Sequence, residues 1–308
     1  MKIIYGINQV KRYAKPVVAL GVFDGVHIGH RVVLKAAVKK ANDIGGTAMA
    51  VTFYPHPQGE GSLHSLEHRL RLVAELGIDV CVIINFSRAF AKVSAQDFIK
   101  NILVRRLNTY YVYVGSNFRF GRGASGDFKL LEKLSGIYGF RLKAFNVIKA
   151  GTRNISSTYI RRLISKGNLR MAQRLLGRPV SVFGTVVRGV SFGRKLGFPT
   201  ANIDPHHEVL PPSGIYACRV ILGKDKLNGV CYIGRQPEFL MKNSHTSRKN
   251  LKHVEVHIFN FNKPIYGKEL EIQFLKKIRK ERRFASPGPL AAQIKKDVKV
   301  SRKILSRH

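Results

Sequence analysis

The sequence predicts two domains, an α/β domain built on a parallel sheet followed by an all-β domain, most simply a barrel. The chain has 308 residues, about twice the usual domain length of roughly 150. Up to Val147, short β-branched or aromatic runs alternate with helical patterns. Beyond Val180 strand runs follow one another, separated by Gly, Pro and Asn turns.

The first set of strands is expected at Val17 to Phe23, Thr47 to Phe53, Asp79 to Asn85, Tyr110 to Gly115 and Arg141 to Val147. After the first of them, Val33, Ala37, Ala41 and Ile44 follow helical spacing, and Gly45-Gly46 closes the helix. This βαβ repetition implies a parallel sheet covered on both faces, with ligands beyond the carboxyl ends of its strands. The loops after Phe23, Phe53 and Gly115 are therefore where chemistry is expected. Two short helical patterns lie between Ser157 and Leu176, and Gly177-Arg178-Pro179 breaks them. The barrel strands are expected at Val180 to Arg188, Tyr216 to Leu222, Asn228 to Ile233, Val254 to Phe261 and Glu269 to Leu275, with a closing basic helix from Pro289. The domains are accordingly 1–155, a helical connection over 156–179, and 180–308.

Composition excludes several classes. The hydrophobic fraction of 44% is that of a soluble globular protein, and neither end carries an apolar run of signal-peptide or membrane-span length, so the cytoplasm is the expected location. Cys81, Cys218 and Cys231 lie far apart without C-x-x-C spacing, and are expected to be buried thiols with no chemistry. Against 18 acidic residues stand 54 Lys and Arg, a net charge of +36, which attracts polyanions and keeps nonspecific binding of nucleic acid open. The cations spread along the whole chain rather than forming one arm.

The segment Gly21-Val22-Phe23-Asp24-Gly25-Val26-His27-Ile28-Gly29-His30 runs from strand to helix, and backbone N–H groups at a helix start favour phosphate. Gly25 and Gly29 permit close approach. His27 and His30, three apart on one helical face, can donate to the same phosphate as negative charge builds on it. A single His in a first turn would be read as a cap, whereas the pair with flanking glycines after a strand points to a phosphate site. Thr52 to Pro57, Val114 to Gly121 and Ile155 to Arg161 lie at or near strand ends. In the last, Ser157 can cap a helix while Ser156, Thr158 and Arg161 offer donors to a triphosphate. Alone, that stretch reads equally as an ordinary capped helix, and Asn117 equally as a ligand contact or a turn residue.

Taken in order, G-x-F-D-G-x-H-x-G-H, T-F-x-P-H-P, F-R-F-G and I-S-S-T-x-I-R resemble the bacterial bifunctional riboflavin kinase/FMN adenylyltransferase (FAD synthetase) family over nearly the whole chain. The resemblance implies a nucleotidyltransferase-like, Rossmann-like first domain in which His27 and His30 stabilise the transition state at the ATP α-phosphate. Gly21, Phe23, Asp24, Gly25, Gly29 and Asn117 would line the nucleotide and FMN pocket, and Ser156, Ser157, Thr158 and Arg161 would hold phosphates.

In the second half Gly189, Gly193 and Gly197 recur every four residues before Phe198-Pro199-Thr200-Ala201-Asn202-Ile203. Their amides can cradle a polyphosphate, although a glycine-rich turn fits the pattern equally well. No G-K-[ST] triplet follows, so a P-loop is not indicated. On a strand, Val254, Val256 and Ile258 share one face and Glu255 and His257 the other. By resemblance this half is a riboflavin kinase-like barrel with a terminal helix. Thr200 and Asn202 would bind Mg²⁺ and ATP phosphates, with Pro199 and the three glycines around them. Glu255 would be the general base for the terminal ribityl hydroxyl, and Arg279 and Phe284 would close over the flavin. The activity implied is phosphorylation of riboflavin to FMN, then adenylation of FMN to FAD with release of pyrophosphate. The sequence departs from the family at Glu238, where Thr is usual, in the Gly189 to Arg194 loop, and at Asn260, where Asp is common. These departures fall in the kinase half and leave open the alternative that only the adenylyltransferase acts.

Overall fold

In the computed structural model the described residues are 1–57, 62–189, 192–234, 253–284 and 286–307. They form two compact units, Met1–Tyr159 and Ile160–His308.

The first unit contains β1 (Lys2–Tyr5), β2 (Pro16–Leu20), α1 (Ile28–Asp43), β3 (Thr47–Tyr54), α2 (Leu66–Ala74), β4 (Val80–Asn85), α3 (Ala95–Asp97, continuing as a π-helix over Phe98–Arg106), β5 (Tyr111–Gly115), α4 (Phe128–Tyr138), β6 (Arg141–Phe145) and a small hairpin of β7 (Lys149–Ala150) and β8 (Arg153–Asn154). The sheet order is β1-β4-β3-β2-β5-β6, all parallel. Alternation assigns its two faces. Val18, Leu20, Met49, Val51 and Phe53 pack in one core, and Val17, Ala19, Ala48 and Ala50 in the other. Strand β2 is buried throughout, as a central strand covered on both sides must be. It is flanked by β3, reached through α1, and by β5, reached only after β4, so the order reverses between β2 and β5. That switch point opens a crevice at the carboxyl ends of the strands.

The starts of α1 to α4 are each closed by a side chain. His27 caps α1, Ser65 caps α2, Ser94 caps α3 and Asp127 caps α4. Strand β1, which the sequence pattern missed, adds to the edge beside β4; it is four residues long and only Ile4 of it is buried.

Helix α5 (Ser157–Ser165) crosses the boundary between the units. Helix α6 (Leu169–Leu176) is capped by Asn168 and stopped by left-handed Gly177. In the second unit β9 (Val180–Val187), a short α7 (Phe192–Lys195), β10 (Ala201–Asp204), β11 (Gly214–Leu222), β12 (Asp225–Gly234), β13 (His253–Ile258) and β14 (Glu269–Arg279) precede α8 (Pro287–Leu305). The six strands close as β10-β13-β12-β11-β14-β9. Tyr216, Cys218, Val220, Val256, Ile272 and Phe274 are fully buried. Ile215, Ala217 and Val230 on the alternate face pack with Leu305 of α8. Strand β10 was not anticipated, being four residues long and preceded by Pro199. Asn260, at a departure from the family pattern, turns left-handed (φ 55°), a conformation Asn tolerates, and accepts from Arg302 at 3.2 Å.

The cysteines are free and buried, and burial pushes the Cys81 thiol up to about 12, out of the reactive range. Among the described residues no helix is long and apolar enough to cross a membrane.

Candidate functional sites

The turn after β2 is not the direct strand-to-helix passage expected. Phe23 is left-handed (φ 53°), a 3₁₀ turn occupies Asp24–Val26, and α1 begins only at Ile28. His27 is therefore the N-cap of α1, with extended backbone, and not a residue of its first turn. Its Nδ1 accepts from the His30 N–H at 3.3 Å. An accepting Nδ1 leaves the ring proton on Nε2, which makes that atom a donor. The two imidazoles stack at 3.6 Å with an 18° interplanar angle, and Phe23 meets His30 edge-on at 5.5 Å. The pair is brought together at the helix start, where backbone N–H groups and the helix dipole favour an anion.

The structure distributes the flanking residues between support and lining. Phe23 is 1% exposed and its ring belongs to the core; a Cβ on Gly21 would meet that ring at 2.8 Å. Gly25 (φ 77°) makes room for Leu63, 2.5 Å from the Cβ position, and a Cβ on Gly29 would meet the His27 ring at 3.1 Å. Both glycines thus serve internal packing. The Asp24 carboxylate is turned inward and accepts from the Leu63 N–H at 2.8 Å and the His64 N–H at 3.3 Å. It holds the segment that leads into α2.

Asn117 is exposed in the turn after β5, across the switch point, with Oδ1 against Gly115. The capping expectation for α5 needs correcting. Ser156 accepts from the Tyr159 N–H at 3.2 Å, so it is the cap, one residue before the helix begins. Ser157 instead donates to the Asp24 carbonyl at 2.9 Å, tying the start of α5 to the histidine turn. Thr158 follows Ser157 in the first turn, and Arg161 lies one turn on, beyond the boundary of the first unit.

Sequence reading passed over Arg69, which is 4% exposed. Its Nη1 donates to the Val22 carbonyl at 2.6 Å and its Nη2 to the Phe53 carbonyl at 3.2 Å. Thr52 donates to the same Val22 carbonyl at 2.8 Å. Burial pushes the Arg69 pKa down, and Asp24 opposes that shift.

In the barrel, Thr200 donates to Glu255 at 3.3 Å. Asn202 and Tyr232 are the cross-strand partners of Glu255, so all three side chains share one face. The expected alternation along β13 is present, with Val254, Val256 and Ile258 buried and Glu255 and His257 partly exposed. Burial raises the Glu255 pKa above the ordinary carboxylate range, and the Thr200 hydroxyl and His253 only partly oppose this. Its neighbour Tyr232 donates to Glu281, a pair that sequence reading did not single out.

Of the three glycines, Gly193 lies where a Cβ would stand 3.0 Å from the Thr200 hydroxyl, Gly189 packs against the Asn202 amide, and Gly197 needs φ 81°. Pro199 offers its carbonyl to His257 Nδ1 at 2.8 Å. Val190 and Ser191 of this loop, and Glu238, lie outside the described residues. Arg279, expected over the flavin, forks onto Asp297 of α8, with Nε to Oδ1 at 3.0 Å and Nη2 to Oδ2 at 2.8 Å. Gln293 also donates to this carboxylate, and the guanidinium lies 5.9 Å from the Phe284 ring. Its forked edge therefore holds α8 on the barrel.

Two family models match. Residues 10–159 fit FAD synthetase and residues 176–305 fit riboflavin kinase. The chain is 37% identical over 307 residues to the bifunctional riboflavin kinase/FMN adenylyltransferase of Escherichia coli K12, covering 96% of each chain. It is 34% identical to the Bacillus subtilis 168 protein of the same description, covering 92% of this chain and 90% of that one. A crystal structure described as a macrolide-efflux protein from Streptococcus pneumoniae superposes with a TM-score of 0.81 at 28% identity, over 98% of this chain and 99% of that one.

Proposed function

Because the chain belongs to the bifunctional riboflavin kinase/FMN adenylyltransferase family, we propose that it makes FAD from riboflavin in two ATP-dependent steps, one on each unit. The stacked His27–His30 pair at the start of α1, beside the switch point of a parallel sheet, carries the adenylyltransferase assignment.

For adenylyl transfer, a phosphate oxygen of FMN attacks the α-phosphorus of ATP, the bond to the β-phosphate oxygen breaks, and pyrophosphate leaves. No proton need move. His27 and His30 donate to the α-phosphate oxygens as charge builds there, and Ser156, Ser157, Thr158 and Arg161 bind the remaining phosphates. Asn117 contacts nucleotide or flavin. The buried Asp24 and the packed glycines support this reading by holding the turn in shape.

For the kinase step, the terminal ribityl hydroxyl oxygen attacks the γ-phosphorus, its proton passes to Glu255, and ADP leaves. A base poised nearer to neutrality than a free carboxylate transfers protons more efficiently near pH 7, and the raised Glu255 pKa supports that role. Thr200 and Asn202 present hydroxyl and amide oxygens of the kind Mg²⁺ accepts, and the glycines at 189 and 193 leave them no Cβ to clash with. These two residues would hold the ion, which neutralises phosphate charge when bound. Gly189, Gly193, Gly197 and Pro199 shape the loop over the phosphates.

We place the protein in the cytoplasm, a reducing compartment that suits three free thiols. The +36 charge supports, besides, a nonspecific and salt-sensitive hold on nucleic acid.

Chromatography of flavins after incubation with riboflavin, ATP and Mg²⁺ tests the reading. FMN appearing first and FAD second is the expected course. FAD formed from added FMN with riboflavin untouched would leave only the adenylyltransferase, and neither product would overturn both assignments.

A further inference from the structure

Strands β2 and β3 are hydrogen-bonded along their length, and just beyond the ladder Gly21 N–H still reaches the Val51 carbonyl at 3.2 Å. There the chains part toward the two loops that bear H-x-G-H and T-F-x-P-H-P. The carbonyls at this fork belong to part-buried Val22 and buried Phe53, and an acceptor left unpaired out of water is costly. Arg69 of α2 supplies both with donors from one guanidinium, at 2.6 and 3.2 Å, and Thr52 adds a second donor to Val22 at 2.8 Å.

A buried cation is an expensive way to hold two carbonyls if only stability is at stake, because desolvation offsets much of what the hydrogen bonds contribute. What it does that an apolar residue would not is fix the separation of the two loops. Val22 is followed at once by left-handed Phe23 and the 3₁₀ turn that ends on His27, so displacement of its carbonyl displaces the imidazole pair. Asp24 acts on the same turn from the other side, by holding Leu63 and His64 just ahead of the α2 cap Ser65.

We propose that Arg69, assisted by Thr52, is the positioning residue of adenylyl transfer: its guanidinium fastens the carboxyl ends of β2 and β3 and thereby sets where His27 and His30 stand. The inference rests on the reading that this pair acts on ATP. Lysine at position 69 would keep the charge and lose the planar fork that spans both carbonyls.

The test uses the full chain with Arg69→Lys, Thr52→Val and, for the reading itself, His30→Ala. The single-turnover rate of FAD formation, the KM for ATP and the rate of FMN formation are measured on each, below the melting transition. Arg69→Lys should slow FAD formation by about 100-fold, the scale of an ångström misplacement, and Thr52→Val by about threefold. KM for ATP should move less than about threefold and FMN formation not at all, since lost positioning falls on the chemical step and spares binding. A wild-type rate in Arg69→Lys overturns the inference, as does a loss equal to the unfolded fraction seen by circular dichroism. If Arg69→Lys does not fold, Thr52→Val decides: an unchanged rate overturns the inference and a slower rate at unchanged KM supports it. If His30→Ala keeps full FAD formation, the site reading itself has failed; if only His30→Ala is impaired, only the Arg69 inference has.

Discussion

At the turn after β2 the key side chains are three residues apart in sequence, whereas in the barrel Thr200 meets Glu255 across 55 residues. The first site is made by local geometry. A left-handed Phe23, a 3₁₀ turn and a capping His27 fold the imidazoles onto each other, and tertiary contacts from Arg69, Asp24 and Ser157 hold the turn. The second site is made by strand pairing, which sets Asn202 and Tyr232 on either side of one half-buried carboxylate. The two origins suit different chemistry. Fixed donors suit a reaction whose transition state gains charge without moving a proton, and a desolvated carboxylate suits one that must accept a proton.

Four outcomes would sharpen or break that contrast. The largest is expected from His30→Ala, which should lower FAD formation by about 100- to 1000-fold, the usual loss on removing one transition-state donor, with FMN formation intact. Glu255→Gln should do the converse, slowing FMN formation by about 100-fold. Equal loss of both activities in either variant, assayed separately from FMN and from riboflavin, would break the division of labour. A third outcome concerns stability. Asp297→Ala strands a guanidinium now forked onto a buried carboxylate, and should cost the second unit about 3 kcal/mol in urea unfolding. A cost near zero would mean that α8 is held by Leu305 and its apolar neighbours alone.

The smallest effect is in pH dependence. Glu255 must be ionised to accept a proton, and burial raises its pKa in the folded chain. Activity should therefore fall as pH drops through that raised value, so the acid limb of kcat/KM for riboflavin should lie above the ordinary carboxylate pKa of about 4.3. Glu255→Gln should erase that limb from FMN formation and leave the profile of FAD formation as it was.

Much of this was legible in the chain. The parallel sheet announced itself through near-continuous apolar runs such as Pro16–Leu20 and residues 48–51, because a strand covered on both faces has no polar side to show. The histidine turn was legible because its residues are consecutive. Strands β1 and β10 were not, being short, edge-exposed or preceded by proline. The cap at Ser156 was assigned one residue late because a run of two serines cannot say which of them starts the helix. Arg69 and Asp297 carried no local signal at all: an arginine within H-R-L-R-L reads as a solvated helix face, and an acid among lysines reads as their surface partner.

Fold class and family pattern were readable from the chain, which also nominated the residues of both candidate sites, since periodicity and contiguous motifs survive without coordinates. Only the tertiary structure decided which motif residues face inward. It turned Asp24 onto Leu63 and His64, Gly25 toward Leu63 and Arg279 onto Asp297, and it brought Arg69 beneath the fork of two strands. The physical reason is that a buried polar group must find a partner, and that partner is chosen by packing across the fold and not by neighbours in the chain.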